Sequence, residues 1–308
     1  MGMNAQGSMA FPQVWHPQTA AEAWHLKQSF GTDSVYVSGG TLLRTQWESG
    51  VAAIPKHLID LSAIRGLGEI RIGETGLVIG GQVSLEACRT HPIIQRHFPI
   101  VTEALRQTAA PSIRRLGTIG GNIASNIGDS LPALLGYNAH VVWYNGMEDL
   151  QITLSEWLKI AGMLHTERLL LQIQLPFQAD ETLEGHEVEH LRSVISKTKR
   201  FSAYHKVGRR EAFTPSVVTA SVSGSLSEKK EVNEIRIALG GGQMIAQRLE
   251  ELERELLGKV IDVQLLRHVY NRIMQLYKPR EDLFASVSYR KTTAAHLIAS
   301  ELWKAAHQ

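Results

Sequence analysis

Cysteine is almost absent: among 308 residues only Cys88 is present. One thiol excludes an intrachain disulfide, a cysteine-rich zinc site and an iron–sulfur cluster held by this chain alone. A dominant charge is lacking too, with 32 Lys and Arg against 30 Asp and Glu. That balance gives no electrostatic footprint for nucleic acid or a membrane surface. No apolar run approaches the ~20 residues of a membrane helix. The opening MGMNAQGSMA lacks the basic-then-apolar pattern of a signal peptide, and residues 1–10 read as a flexible tail. The six tryptophans are scattered, so no base-stacking platform is suggested. A cytoplasmic protein is expected, with neither nucleic acid nor membrane as partner.

What is present points to a buried core in two domains. Apolar residues make up 44% of the 308, and at about 150 residues per domain the length suggests two. From 11 to about 65, TAAEAWHLKQSF (19–30) reads as a helix capped by Thr19, and VYVSGG (35–40) as a strand entering a glycine turn. From 66 to about 178, GLVIGGQVSL (76–85) reads as strand then turn. PIIQRHFPIVTEALRQTA (92–109) reads as helix broken at Pro99, and LPALLGYNAHVVWYN (131–145) as helix into buried strand. TERLLLQIQLPF (166–177) is a further strand. These elements lack a regular βαβ rhythm. Beyond 201, PSVVTASVSGSL (215–226) and NEIRIALGGG (233–242) form a hairpin across SEKKEV (227–232). Amphipathic helices are expected over 246–259, 263–277 and 292–306. Strands followed by helices argue for a separate α+β domain.

Two glycine loops carry the chemistry. In SGGTLL (38–43), Gly39 and Gly40 let the backbone approach a ligand, and their N–H groups can converge on phosphate. Ser38 and Thr41 add hydroxyls. Taken alone, the hexapeptide reads rather as an ordinary strand-end turn. GTIGGNIAS (117–125) repeats the composition with Thr118, Gly120, Gly121 and Asn122. Two such loops some 80 residues apart suit a diphosphate held from two sides by backbone amides. Neither has the spacing of a Walker loop or a GxGxxG fingerprint. Asp129 could accept from sugar hydroxyls, as acidic groups do in other dinucleotide sites, or belong to the N-cap region of LPALL.

At these residues the chain resembles the FAD-binding, medium subunits of the molybdenum hydroxylases, the group of xanthine dehydrogenase and CO dehydrogenase. SGGTLL resembles that family's A-G-G-T-D-L loop, and RRLGTIGGN (114–122) its second loop. YHKVGRREAFTPSVVTASV (204–222), IRIALGG (235–241) and SYRKTTAAHLI (288–298) resemble segments of its C-terminal domain. GDSLPALL (128–135) is nearest the purine-hydroxylase-like bacterial members. The resemblance covers roughly residues 10 to 305 and implies an α+β fold. A two-lobed, PCMH-like FAD-binding domain would span 11–178, and an antiparallel sheet plus three helices 201–308. FAD would lie extended between the lobes.

The resemblance also implies roles. Ser38, Gly39, Gly40, Thr41 and Leu42 would wrap the FAD diphosphate, and Thr118, Gly120, Gly121 and Asn122 would close on it. Asp129 would hold a sugar-chain hydroxyl, and Leu170 would pack near the adenine or flavin. Lys206 would approach the isoalloxazine, where a cation stabilises the negative charge of reduced flavin. As a residue alone, Lys206 reads rather as a solvated strand lysine. The implied partners are a small subunit with 2Fe-2S clusters and a large molybdopterin-binding subunit. Electrons would pass through FAD to NAD or another acceptor. That role needs no catalytic acid or base and no metal on this chain.

Two departures from the family pattern stand out. IASNIG (123–128) is one residue short, which leaves the partners of Ser125 and Asn126 open. Pro176 and Lys206 are 30 residues apart, so 179–200 reads as an insertion or linker. It contains HEVEH (186–190), which satisfies the H-E-x-x-H pattern of zinc proteases, with Glu187 as base and Glu211 a conceivable third ligand. Gly185 in front, polar QADETLE upstream and strand-like SVIS (193–196) behind deny it a helix. A zinc hydrolase is therefore the weaker alternative, beside a nucleotide-binding module without redox activity. Cys88, after SLEA, reads as a small buried helix residue.

Overall fold

The computed structural model describes residues 11–160, 168–177, 198–208, 216–242 and 244–307. The tail 1–10, the HEVEH motif and Glu211 lie outside the described residues.

In the first lobe, β1 (Gln13–Trp15), β2 (Ser34–Val37) and β3 (His57–Asp60) pair in parallel, in the order β1-β3-β2. Parallel strands need crossovers, and α1 (Ala20–Phe30) and α2 (Thr41–Glu48) supply them. Thr19 caps α1 as expected, its hydroxyl accepting from the Glu22 N–H at 3.1 Å.

In the second lobe, β4 (Ile70–Ile72), β5 (Gly76–Gly80), β6 (His140–Tyr144), β7 (Asp149–Thr153) and β8 (Leu169–Pro176) form an antiparallel sheet. Its order is β4-β5-β8-β6-β7. Short helices cover it: α3 (Leu85–Thr90), α4 (Pro92–His97), α5 (Pro99–Gln107), α6 (Pro111–Leu116), α7 (Ile119–Ala124), α8 (Leu131–Gly136) and α9 (Leu154–Ile160). Pro99 ends one helix and opens the next, since proline lacks the N–H that a first turn leaves unbonded anyway.

One strand serves both lobes. Neighbouring Val142 and Trp143 of β6 pair with Gln172 and Leu170 of β8, leaving Leu171 as a bulge. The extra residue swaps faces. Leu169 and Leu171 join Ala23, Ile59 and Leu61 in the first lobe's core. Leu170, Ile173 and Leu175 join the helix-covered core of the second.

In the C-terminal domain, β9 (Lys199–Gly208), β10 (Ser216–Leu226), β11 (Val232–Gly241) and β12 (Met244–Arg248) form an antiparallel sheet. Three helices, α10 (Glu250–Leu256), α11 (Val263–Leu276) and α12 (Val287–His307), pack on one face. Val218, Ala220 and Val222 of β10 face those helices. On the other face, the Ser221 and Ser223 hydroxyls donate to the Pro132 and Gly136 carbonyls of α8 at 2.6 and 3.0 Å. Small polar residues thus dock the two domains closely. The helix expected over 246–259 needs correction: it starts at Glu250, because Gln247 and Arg248 pair with Leu239 and Ala238 as an edge strand. Sheet pairing here outweighs local helix propensity. Among the described residues, no helix is long and apolar enough to cross a membrane.

Candidate functional site

The two glycine loops meet, and the β8 bulge is what aligns them. The Leu171 carbonyl accepts from the Gly81 N–H at 2.7 Å, and the Gly81 carbonyl accepts from the Gly120 N–H at 3.0 Å. A Cβ on Gly120 would stand 2.5 Å from the Gly81 oxygen, and one on Gly39 2.0 Å from the Leu116 oxygen. Gly39 and Gly120 are therefore glycine because backbone packs on backbone. The Ser38 hydroxyl then lies 2.5 Å from that of Thr118.

Gly40 and Gly121 have a different reason. Gly40 stands at φ +65°, the left-handed turn that redirects the chain from β2 into α2. No side chain caps α2; the Arg44 N–H is the first to find the helix's own carbonyl, that of Gly40, at 2.9 Å. The N–H groups of Thr41, Leu42 and Leu43 precede it and carry the positive end of the helix dipole. Leu42 is 40% exposed. Gly121 is exposed, and a Cβ there would meet only the Thr118 hydroxyl, at 3.2 Å. Thr118 caps α7 by accepting from the Gly121 N–H at 3.1 Å.

Sequence reasoning missed Gln82. Its Oε1 accepts from the Ser38 hydroxyl at 2.8 Å, while its Nε2 is buried without a hydrogen-bond partner. The available signal was a third Gly-Gly pair, Gly80-Gly81, directly before it. Leu170 lies under this point, its carbonyl 3.2 Å from where a Gly81 Cβ would be.

The Asn122 side chain faces the next turn, its Oδ1 accepting from the Ser130 hydroxyl at 2.5 Å. In the shortened stretch, the Ser125 hydroxyl donates to the Asn122 carbonyl at 2.7 Å. Asn126 takes φ +60° and donates to the Ala124 carbonyl at 3.1 Å.

Next to Ser130, Asp129 meets Lys206. The ammonium donates to Asp129 Oδ2 at 2.7 Å and to the Gln107 carbonyl at 3.0 Å. The Lys206 side chain is only 2% exposed, which rules out the solvated strand lysine. Ser130 occupies the N-cap of α8 without a side-chain capping bond, and the Asp129 carboxylate is turned to Lys206 instead. The Tyr204 hydroxyl donates to the Asp129 carbonyl at 2.7 Å. Burial, then the Asp129 and Glu103 carboxylates, push that phenol well above its ordinary range.

Arg114, just before the second loop, is buried and anchors it. Its guanidinium donates to Glu86 at 2.7 Å and to the carbonyls of Thr108 and Ala109 at 3.1 and 2.8 Å. Among the described residues, no group of three or more His, Cys, Asp or Glu could hold a metal ion. The site therefore offers the leading backbone N–H groups of α2, an unpartnered amide and a buried ion pair. That chemistry fits the diphosphate and sugar chain of an extended dinucleotide.

Residues 8–178 match the family described as the FAD binding domain in molybdopterin dehydrogenase, and 202–304 that of the CO dehydrogenase flavoprotein C-terminal domain. The chain is 28% identical over 290 residues to the carbon monoxide dehydrogenase medium chain of Hydrogenophaga pseudoflava, covering 93% of this chain and 94% of that one. It is 24% identical over 240 residues to a putative xanthine dehydrogenase FAD-binding subunit of Escherichia coli, 76% of each chain. Reconstituted CO dehydrogenase from Oligotropha carboxidovorans shares the fold, at TM-score 0.82 and 21% identity over 96% of this chain and 98% of that one.

Proposed function

Since the chain belongs to the FAD-binding subunits of the molybdenum hydroxylase family, we propose that it is the electron-transfer subunit of a larger complex. FAD is its cofactor, and when bound supplies the redox chemistry, taking up electrons and giving them to an acceptor. The chain's own residues hold and orient it. The backbone of Gly39, Gly40, Thr41 and Leu42 takes one side of the diphosphate; Thr118, Gly120, Gly121 and Asn122 form the wall on the other, with the N–H groups of Gly120, Gly121 and Asn122 held by Gly81 and Thr118. Ser38 ties the two sides together through Thr118. Asp129 holds a sugar-chain hydroxyl, and Lys206 fixes that carboxylate in place while adding its cation near the ring. Leu170 contributes the apolar floor.

The observation that carries this assignment is the meeting of two glycine loops, the first of which opens a helix whose leading N–H groups, at Thr41, Leu42 and Leu43, have no carbonyl of their own helix. Gly121→Val tests it, because only Thr118 Oγ1 stands near the new Cβ. The variant should melt near the wild-type temperature yet purify with little flavin absorbance. Full flavin in that variant would sink the loop assignment.

Electrons would come from 2Fe-2S clusters on a small partner, fed by a large molybdopterin-binding partner that hydroxylates the substrate. NAD or another acceptor would receive them, in the cytoplasm. Cys88 alone cannot ligate a cluster, which supports the division of labour. The GDSLPALL segment supports a purine-type substrate, bound on the large chain. Affinity purification from the native host should recover iron, molybdenum and two further chains. A chain that purified alone and oxidised an organic substrate through FAD at full rate would replace this reading with a free-standing flavoenzyme.

A further inference from the structure

Three backbone segments converge where the glycine loops meet: Ser38–Gly40, Gly81–Gln82 and Thr118–Gly121. Their hydroxyl protons can be counted. Thr118 Oγ1 already accepts from the Gly121 N–H. Gln82 Oε1 has no proton, so the Ser38 hydroxyl donates to it at 2.8 Å. The Thr118 hydroxyl, 2.5 Å from Ser38 Oγ, must then donate to Ser38. Both hydroxyl protons thus run inward along the chain Thr118 to Ser38 to Gln82. Neither is left for a ligand, although the residue types suggest that both should be. The free donor at the end of the chain is the Gln82 Nε2, buried and without a partner. Burying an unpaired amide is unfavourable unless a partner arrives.

We propose that Gln82 is a third binding arm of the cofactor site, donating its amide N–H to the diphosphate between the two glycine loops. The proposal rests on the assignment of those loops to the FAD diphosphate. Turning the amide over does not remove the dependence on Gln82. Its Nε2 would then donate to Ser38, Ser38 to Thr118, and the Thr118 proton would be released outward. In either orientation one donor reaches the ligand, and Gln82 is what supplies or releases it.

The test uses the full chain stripped of flavin, titrated with FAD and separately with ADP, which carries a diphosphate but no flavin. Gln82→Met removes the amide. Gln82→Glu keeps its shape but carries no N–H and adds a negative charge beside the diphosphate. The expected result is roughly tenfold weaker FAD binding for Gln82→Met and ~100-fold for Gln82→Glu, with the same order of loss for ADP. Melting temperatures of the flavin-free proteins serve as the folding control, and Gln82→Asn, one methylene shorter, replaces any variant that fails to fold. Wild type that binds FAD alongside Gln82→Met and Gln82→Glu of equal affinity would overturn the role of Gln82 and leave the loop assignment standing. Losses seen with FAD but not ADP would overturn the diphosphate contact. Wild type that binds neither ligand would overturn the site assignment and this inference together.

Discussion

Lys206 and Asp129, 77 positions apart in the chain, form a buried ion pair of 2.7 Å between strand β9 and the turn that leads into α8. It couples the C-terminal domain to the cofactor domain at the point where the second glycine loop ends. Removing one partner of such a pair strands the other charge in a poorly solvated place, which typically costs ~3–5 kcal/mol. Lys206→Met should therefore lower the thermal midpoint markedly. Asp129→Asn should lower it less, since the asparagine carbonyl and the Gln107 carbonyl still receive the ammonium. Lys206→Met with Asp129→Asn should recover part of the loss of Lys206→Met. The flavin potential gives an independent readout. Lys206→Met removes a positive charge, so reduced flavin is less stabilised and the midpoint potential falls. The double variant leaves net charge unchanged and should move it less. Equal potentials in all of these proteins would remove Lys206 from the ring's surroundings.

Two adjacent glycines should behave differently when each becomes alanine. A Cβ at Gly39 would stand 2.0 Å from the Leu116 carbonyl, a backbone atom that cannot step aside without parting the loops. At Gly40 the nearest atom is Val37 Cγ1 at 3.7 Å, and the cost is only the left-handed backbone at φ +65°, ~1–2 kcal/mol. Gly39→Ala should lose both stability and flavin, while Gly40→Ala should fold with a modest loss of stability. Chemical denaturation and the ratio of flavin to protein absorbance check both. A Gly39→Ala protein as stable as Gly40→Ala would refute the backbone-contact account.

Much of the frame was legible. Thr19 as a cap, Pro99 as a break and the alternation of PSVVTASVSGSL follow from local rules, and local rules sufficed there. The expected helix over 246–259 went wrong at its start because an edge strand forms only when β11 is beside it. At the site, the two loops announced themselves by their glycine pairs, but which glycine serves packing and which faces outward did not. That distinction depends on the Leu171 bulge, a pairing irregularity with no mark of its own in the sequence. The same holds for Lys206: a lysine in a strand gives no sign that a carboxylate 77 positions earlier will cover it. Gln82 was passed over because its significance lies in a hydrogen it has left over, and that exists only once Ser38 is in place.

Cys88 should be inert in the native protein. It is 1% exposed within α3, and burial pushes its thiol up to about 12. The thiolate is the reactive form, so at pH 8 a disulfide exchange reagent should titrate no thiol in the folded chain and one after denaturation. Rapid labelling of the native protein would contradict the burial of α3 against the second lobe's core.

Acid should loosen the second glycine loop through Glu86. Its carboxylate accepts from Arg89 and from Arg114, and these bonds hold its pKa at about 2, below the ordinary 4.5. A carboxyl depressed on folding binds its proton more readily when unfolded. Its stabilising contribution is therefore complete above about pH 4.5 and is lost as pH falls toward about 2. A depression of this size corresponds to on the order of 3 kcal/mol. Arg114 stands three residues before Gly117, so protonating Glu86 frees the side chain that also gathers the Thr108 and Ala109 carbonyls. Glu86→Gln removes the charge at every pH. At pH 7 the variant should be less stable than wild type in urea, by up to that amount. The difference should shrink between pH 4.5 and 2, with flavin release moving to higher pH in the variant. A stability gap between the two proteins that stays constant across that window would mean that the Glu86 charge is not what holds the loop.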